Sequence, residues 1–260
     1  LSAVQPGSEG GAGPREGPEL SIVIPAYNEA ERIVPTLRAI DRFLRQSGVP
    51  AEILVVDDGS RDETLGIVES LRPEIPTLRA LKNPGNRGKG FSIRRGFLEC
   101  TGRRVLLTDA DLSTPIEEID KLDAAMNRGG IAGAIGSRAV DRSTVELPQG
   151  WLRQTMGKTF NRVVRVLTGL PFKDTQCGFK LFDRRAFDPI FRAARVDRFS
   201  YDVEILMMAR RRGMAVSEIP VLWRNSPQSK VGIVKDSARM LWDVLRVATR
   251  ERMGGSRTTS

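Results

Sequence analysis

The chain has 260 residues, 40% of them hydrophobic and 28% charged, which suits one large α/β domain or two small ones with a substantial core. Lys and Arg number 41 against 32 Asp and Glu, a net charge of +9, so anionic partners are favoured: nucleotides, nucleic acid or anionic lipid surfaces. Histidine is absent and the only cysteines are Cys100 and Cys177, which removes imidazole catalysis and imidazole metal sites and argues against a disulfide framework; a metal would have to be held by oxygen, which points to Mg²⁺ or Mn²⁺.

Residues 1–18 are rich in Gly, Pro, Ser and Glu and are expected to form a disordered leader. Residues 20–25 read as a buried strand, and 29–46 as a helix with Ile33, Leu37, Ile40 and Leu44 on one face. A second strand is expected at 51–57, with helix 61–71 behind it, then a short strand at 77–81 and a basic helix at 88–100. A fourth strand at 103–109, a helix at 116–127 and a strand at 131–137 complete the regular part. This alternation predicts a mostly parallel, doubly wound sheet with ligands at the carboxyl ends of its strands.

Beyond Ser137 the rhythm breaks. A polar loop, 138–150, leads into an amphipathic helix, 151–168; a polar turn, 173–178, and a short apolar stretch, 179–182, follow. A helix at 199–212, a strand at 214–223 and a last amphipathic helix at about 233–249 close the chain. The expected organisation is a leader to residue 18, one α/β domain over 19–235, and an amphipathic helix with a basic tail over 236–260. No run of about 18 apolar residues suggests a transmembrane helix.

The chemistry-bearing residues lie at strand ends. The first strand runs into Pro25-Ala26-Tyr27-Asn28-Glu29, where Asn28 can cap the next helix and Tyr27 and Glu29 could line a base-and-ribose pocket; a plain strand-to-helix turn would use the same residues. The second ends in Asp57-Asp58-Gly59-Ser60, which also makes a good turn. Asn86-Arg87-Gly88-Lys89-Gly90 opens the basic helix, where backbone N–H groups beside Arg87 and Lys89 can receive phosphate oxygens. The fourth strand delivers Thr108-Asp109-Ala110-Asp111-Leu112-Ser113-Thr114-Pro115, and an Asp-X-Asp at a strand end can hold a hard divalent cation and, through it, a diphosphate.

These segments, with Ser21-Ile22-Val23-Ile24 ahead of the first, resemble family 2 glycosyltransferases. Asp109 to Pro115 and Asp174-Thr175-Gln176-Cys177-Gly178-Phe179-Lys180-Leu181-Phe182 resemble, more narrowly, dolichyl-phosphate β-glucosyltransferases and related polyprenyl-phosphate sugar synthases; Tyr201-Asp202-Val203-Glu204 and Ser229-Lys230-Val231 strengthen the match. The resemblance covers roughly residues 20–235. It implies the GT-A, Rossmann-like α/β fold: a mixed, mostly parallel sheet flanked by helices, here with a C-terminal amphipathic helix.

The resemblance also implies roles. Pro25, Ala26, Tyr27 and Glu29 would border the nucleotide, with Asp58 accepting from the base imide and Asp57 supporting that wall. Lys89 would sit near the base and Asp109 near the ribose. Asp111, with Asp109, would ligate Mg²⁺ or Mn²⁺ bridging the two phosphates. Mannosyl-type relatives carry a metal-binding glutamine two residues after this motif; Ser113 stands there, which favours UDP-glucose over GDP-mannose. Arg138 and Arg153 correspond to two arginines that clamp a lipid monophosphate, chemistry that suits a guanidinium pair. Lys230 could close over the donor diphosphate, and Gln176 and Asp174 could shape the sugar pocket.

The implied reaction is an inverting, metal-dependent transfer of a hexose from a nucleotide sugar to a polyprenyl or dolichyl monophosphate. An anionic phosphate acceptor needs no strong general base, so the lack of histidine is no obstacle; Asp202 is the candidate base, a helix cap being the alternative. The fold would also serve GDP-mannose or a non-lipid acceptor. Aromatic residues are only 6% of the chain and no recognition element is visible, so nucleic acid is not the expected partner. The last helix, with Met240, Leu241, Val244 and Leu245 along one side, could lie on a membrane, giving a peripheral enzyme at the cytoplasmic face; it could equally pack on its own domain or on a second subunit as a homo-oligomer.

Overall fold

The strands alternate so strictly that their side chains sort onto two faces. Ile22, Ile24, Ile53, Val55 and Leu106 point one way, and Val23, Leu54, Val56, Val105 and Leu107 the other; all ten are fully buried. A sheet apolar on both faces must be covered on both, which is the physical basis of a three-layer α/β fold. The computed structural model describes residues 17–141, 161–224 and 233–253, with side chains in the last segment from 240 to 250.

Seven strands form one sheet: β1 (Leu20–Ala26), β2 (Ala51–Asp57), β3 (Leu78–Lys82), β4 (Arg104–Leu107), β5 (Ile131–Ser137), β6 (Lys180–Asp183) and β7 (Ala215–Pro220), in the order β3-β2-β1-β4-β6-β5-β7. All pairings are parallel except those of β6, which runs antiparallel between β4 and β5. The carboxyl ends of the six parallel strands therefore share one edge with the amino end of β6. The GT-A expectation of a mixed, mostly parallel sheet holds.

Helices α1 (Ile33–Ser47), α2 (Thr64–Ser70) and α4 (Ile119–Asn127) cover one face. A 3₁₀ turn, Ile116–Glu118, leads into α4. The other face carries α3 (Lys89–Glu99), helical residues 161–168 (α5), α6 (Arg184–Ala193), α7 (Tyr201–Arg211) and α8 (Ile233–Met253). Gly96 lets α3 lie directly on the sheet: a Cβ there would be 2.4 Å from Val23 Cγ1 and 2.9 Å from Val56 Cγ2.

Several expectations need correction. Helix α1 starts at Ile33 rather than 29; residues 28–30 are instead tied to the loop after β2, the N–H groups of Asn28, Glu29 and Ala30 donating to Ser60 Oγ, Thr64 Oγ1 and Asp62 Oδ2. Asn28 accordingly does not cap α1; it sits at φ +56°, and its Oδ1 accepts from Arg61 N. Helix α6 was not expected. Asp183 caps it by accepting from Ala186 N at 2.9 Å, and Phe187, Ile190 and Phe191 are buried in an i, i+3, i+4 pattern despite Pro189.

The last helix settles on its own domain. Met240, Val244, Val247 and Ala248 are buried, Ser200 Oγ donates to Met240 O at 3.1 Å, and Arg250 pairs with the fully buried Glu204 of α7. The boundary expected between 235 and 236 thus falls inside α8, and the apolar face differs from the expected one. Leu245 and Trp242 point outward. No described helix is long and apolar enough to cross a membrane.

Candidate active site

The loops after β1 and β2 are stitched together by the bonds from Asn28 N, Glu29 N and Ala30 N. They make one wall of the site, carrying Pro25, Ala26, Tyr27, Glu29, Asp57 and Asp58. Asp58 is buried and its carboxylate organises the wall. Its Oδ1 accepts from Asn83 Nδ2 (2.8 Å) and Arg87 N (2.9 Å), and its Oδ2 accepts from Gly88 N (2.8 Å). The N–H groups of 87 and 88 that sequence reasoning offered to phosphate are therefore held by Asp58. A carboxylate has about four acceptor sites, so one remains for a ligand N–H. Asp57 closes its own turn by accepting from Ser60 N. Glu29 is gripped by Arg32 through two hydrogen bonds of 2.8 Å.

The Asp-X-Asp loop is fixed from several sides. Ala110 O accepts from Thr36 Oγ1 at 2.7 Å, and Ser113 O accepts from Arg224 N at 2.8 Å. Asp111 Oδ1 accepts from both Ser113 N (3.1 Å) and Ser113 Oγ (2.9 Å), and Arg32 Nη1 lies 3.7 Å from Asp111 Oδ2. Ser113 thus touches the expected metal ligand directly. Leu112 sits at φ +46°, an unusual conformation for a branched residue and the kind of backbone strain that clusters at functional loops. A cavity of about 260 Å³ opens beside Asp111, lined by Glu31, Arg32, Pro35, Thr36 and Leu112.

Asp109 faces Lys89, whose Nζ lies 2.5 Å from Oδ1. Burial pushes the Lys89 ammonium down, but Asp109, Asp202 and Asp111 outweigh it and raise its pKa above the ordinary value. Burial likewise works to raise Asp109, and Lys89, backed by Lys180 and Arg138, holds it below the usual carboxylate range. Both groups are therefore charged near neutral pH. The loop 174–178 lies against the same carboxylate: a Cβ on Gly178 would be 2.2 Å from Asp109 Oδ2.

Two ion pairs, one buried and one partly exposed, stand beside this front. Lys180 Nζ lies 2.6 Å from Asp202 Oδ1, with both residues almost wholly buried. Burial raises Asp202 against the opposing pull of Lys180 and Lys89. Asp202 lies in the first turn of α7 and does not cap it. Arg138, at the end of β5, grips Asp174 through Nε (2.7 Å) and Nη2 (2.9 Å), and its backbone N donates to the same carboxylate at 3.1 Å. Burial opposes the ionisation of Asp174, yet the guanidinium wins and lowers its pKa to about 2. Arg138 also lies over the Trp223 ring, 5.5 Å from its centroid.

The residues sequence reasoning missed are Arg32, Lys180 and Glu218. Glu218 accepts from Lys173 N and Asp174 N and so anchors the 173–178 loop. Nothing in its local sequence marks it; only the β5–β7 register brings it there. Thr175 Oγ1 and Gln176 Nε2 are buried polar atoms with no hydrogen-bond partner among the described residues. Arg153 and Lys230 lie outside the described residues. Among the described residues no three of His, Cys, Asp and Glu gather as a metal cage. A hard cation, however, takes one or two carboxylates plus substrate phosphates and water, and Asp109 and Asp111 offer that all-oxygen set.

The chain is similar to known proteins over most of its length. Residues 21–191 match the profile of Glycosyl transferase family 2. A dolichyl-phosphate beta-glucosyltransferase of Trichomonas vaginalis is 36% identical over 245 residues, covering 90% of this chain and 72% of the relative. The Homo sapiens protein of the same name is 32% identical over 251 residues, covering 92% and 78%. Among solved structures, mannosyl-3-phosphoglycerate synthase from Rubrobacter xylanophilus superposes with a TM-score of 0.69 at 21% identity, over 94% of this chain and 77% of that one. Glucosyl-3-phosphoglycerate synthase from Mycobacterium tuberculosis, crystallised with Mn²⁺, UDP-glucose and phosphoglyceric acid, gives 0.63 at 17% identity, over 90% and 80%. At those identities the structural likeness speaks for the fold alone.

Proposed function

The chain belongs to glycosyl transferase family 2, and from that premise we propose that it transfers glucose from UDP-glucose to dolichyl phosphate or a related polyprenyl phosphate, with inversion at the anomeric carbon. One observation carries the reading. The Asp109–Asp111 loop and the Arg138 guanidinium, held by Asp174, follow β4 and β5, the two strands that flank β6 at one sheet edge, so a cation-binding front and a phosphate-binding group can face a single reacting centre. The names of relatives that align over about nine-tenths of the chain support the same sugar and acceptor.

Within this reading Pro25, Ala26, Tyr27 and Glu29 border the nucleotide, and Asp57 and Asp58 hold the same wall. Asp109 and Asp111 hold Mg²⁺ or Mn²⁺; the donor set fits a hard cation, and the ammonium already beside Asp109 marks a place where positive charge is stable. The cation, when bound, offsets the charge that develops on the leaving diphosphate. Arg138 uses Nε and Nη2 on Asp174 and keeps its Nη1 edge for the acceptor phosphate, with Arg153 as the second arginine. Gln176 orients the sugar and Lys230 closes over the donor.

A phosphate monoester is anionic near neutral pH, so its oxygen attacks without prior loss of a proton to the enzyme. Positioning and fixed charge carry the rate. Asp202, paired to Lys180, serves in this reading as part of the frame that fixes charge behind Asp109. The enzyme would work peripherally at the cytoplasmic face of a membrane, with Trp242 and Leu245 on the outer side of α8, next to the exposed Arg246, touching lipid.

The test is transfer of labelled sugar from UDP-glucose and, separately, GDP-mannose onto dolichyl phosphate with Mn²⁺ or Mg²⁺. Label from UDP-glucose should enter the organic phase and disappear with EDTA. A lipid product from GDP-mannose alone, or nucleotide binding with no lipid product, would overturn the proposal.

A further inference from the structure

The carboxylates at the reacting edge already have cations of the chain's own beside them. Lys89 Nζ is 2.5 Å from Asp109 Oδ1, Lys180 Nζ is 2.6 Å from Asp202 Oδ1, and Arg32 Nη1 is 3.7 Å from Asp111 Oδ2. Lys89 is the most central of these cations, since Asp202 and Asp111 act on the same ammonium as Asp109 does. Its side chain leaves the first residue of α3 on a flexible four-carbon stem, so it can move without disturbing the helix. Lys180, by contrast, is almost wholly buried and fixed.

We propose that Lys89 is a resident counter-cation: its ammonium holds the divalent ion's place on Asp109 until the donor arrives, so that the ion is captured only together with the nucleotide diphosphate. The argument is one of charge. Asp109 and Asp202 balance Lys89 and Lys180 before any ligand binds, and Arg32 stands against Asp111. A divalent ion entering alone adds two positive charges to that balanced, half-buried group, where low dielectric makes the repulsion from both ammoniums strong. An ion entering with a diphosphate brings its own compensation. Lys89 then leaves Asp109 to the metal and turns its charge to the incoming phosphates.

This inference rests on Asp109 and Asp111 holding the cation, and the experiment separates the two ideas. Mn²⁺ binding is measured by electron paramagnetic resonance and calorimetry, with and without saturating UDP, on the wild-type chain, Lys89→Met and Lys89→Arg. Thermal melts establish that each variant is folded, and Lys89→Gln replaces Lys89→Met if the latter is not. In the wild type, UDP should tighten Mn²⁺ binding by about 5–150-fold, the usual range of coupling between sites. Lys89→Met should bind Mn²⁺ without UDP at least about tenfold more tightly than the wild type, with a correspondingly smaller gain from UDP, because the competing charge is gone. Lys89→Arg keeps the charge and should follow the wild type.

Unchanged UDP-free affinity in a folded neutral variant would overturn the counter-cation role while leaving the metal site standing. So would a Lys89→Arg chain that behaves like Lys89→Met, or a wild type that binds Mn²⁺ equally with and without UDP. Failure of the protein to bind Mn²⁺ even with UDP would overturn both the metal site and the role of Lys89.

Discussion

The pair Lys180–Asp202 offers the sharpest test of how the site is supported. Both side chains are almost wholly buried and their charged atoms are 2.6 Å apart. Lys180→Met removes the ammonium and leaves a buried carboxylate facing Lys89 and Tyr201. Breaking one side of a buried pair costs about 3–5 kcal/mol, whereas replacing both partners by apolar residues of similar volume is often close to neutral. For a chain of this size, about 2–4 °C of melting temperature accompanies each kcal/mol, so Lys180→Met should melt about 6–20 °C lower.

The double variant Lys180→Met/Asp202→Leu should recover most of that loss, and calorimetry on the four proteins of the cycle measures the coupling. The pH dependence carries an independent sign. Asp202 already has a raised pKa from burial, and losing Lys180 raises it further. A raised carboxyl pKa favours the protonated folded form, so its contribution is present below the unfolded value and lost as pH rises. The deficit of Lys180→Met should therefore shrink on acidification. Additive losses in the double variant, or a deficit independent of pH, would refute the reasoning.

Other outcomes follow from the same geometry. Arg138→Ala should raise KM for the lipid phosphate while leaving nucleotide affinity intact, measured by steady-state transfer and UDP titration; equal loss of both would mark Arg138 as purely structural. The same variant strands Asp174, whose pKa is held down at about 2 by Arg138, so its stability deficit should be full above the ordinary carboxylate range and fade as pH falls from there to about 2, read by thermal melts. Gly178→Ala puts a methyl 2.2 Å from Asp109 Oδ2 and should lower kcat/KM for UDP-glucose by up to about 100-fold through misplacement; an unchanged value would show that the 174–178 loop yields freely. Asp111→Asn should abolish cation-dependent transfer with melting temperature close to wild type, and full activity would sink the Asp-X-Asp assignment. Trp242→Ala together with Leu245→Ser should weaken sedimentation with anionic liposomes without changing transfer to a detergent-dispersed acceptor, since both side chains lie outside the core.

Much of the first half was legible because its code is local. Strands β2 and β5 were read to the residue, since a buried strand is a short apolar run between turn residues and needs no distant partner to be seen. The Asp-X-Asp and Asp-Asp-Gly-Ser segments stood out for the same reason. Helix α6 escaped because Pro189 interrupts the helical pattern, and only the burial of Phe187, Ile190 and Phe191 on the sheet makes the interruption tolerable. Strand β6 was seen only as an apolar stretch, and its antiparallel course depends on which neighbours it finds.

The site divides in the same way. The sequence alone determined which residue types reach the sheet edge: the carboxylates at 57, 58, 109 and 111, Lys89, and the arginine after β5, because strand periodicity and chain direction dictate what each strand end delivers. Partners were decided only by tertiary structure. Asp58 holds Asn83 and the 87–88 backbone, Lys180 reaches Asp202, and Glu218 pins the loop that carries Asp174 to Arg138. Those pairs join residues up to tens of positions apart, and which cation answers which carboxylate depends on strand order, register and burial; no local pattern encodes them, because a charge chooses its partner by distance in space and by the loss of water around it.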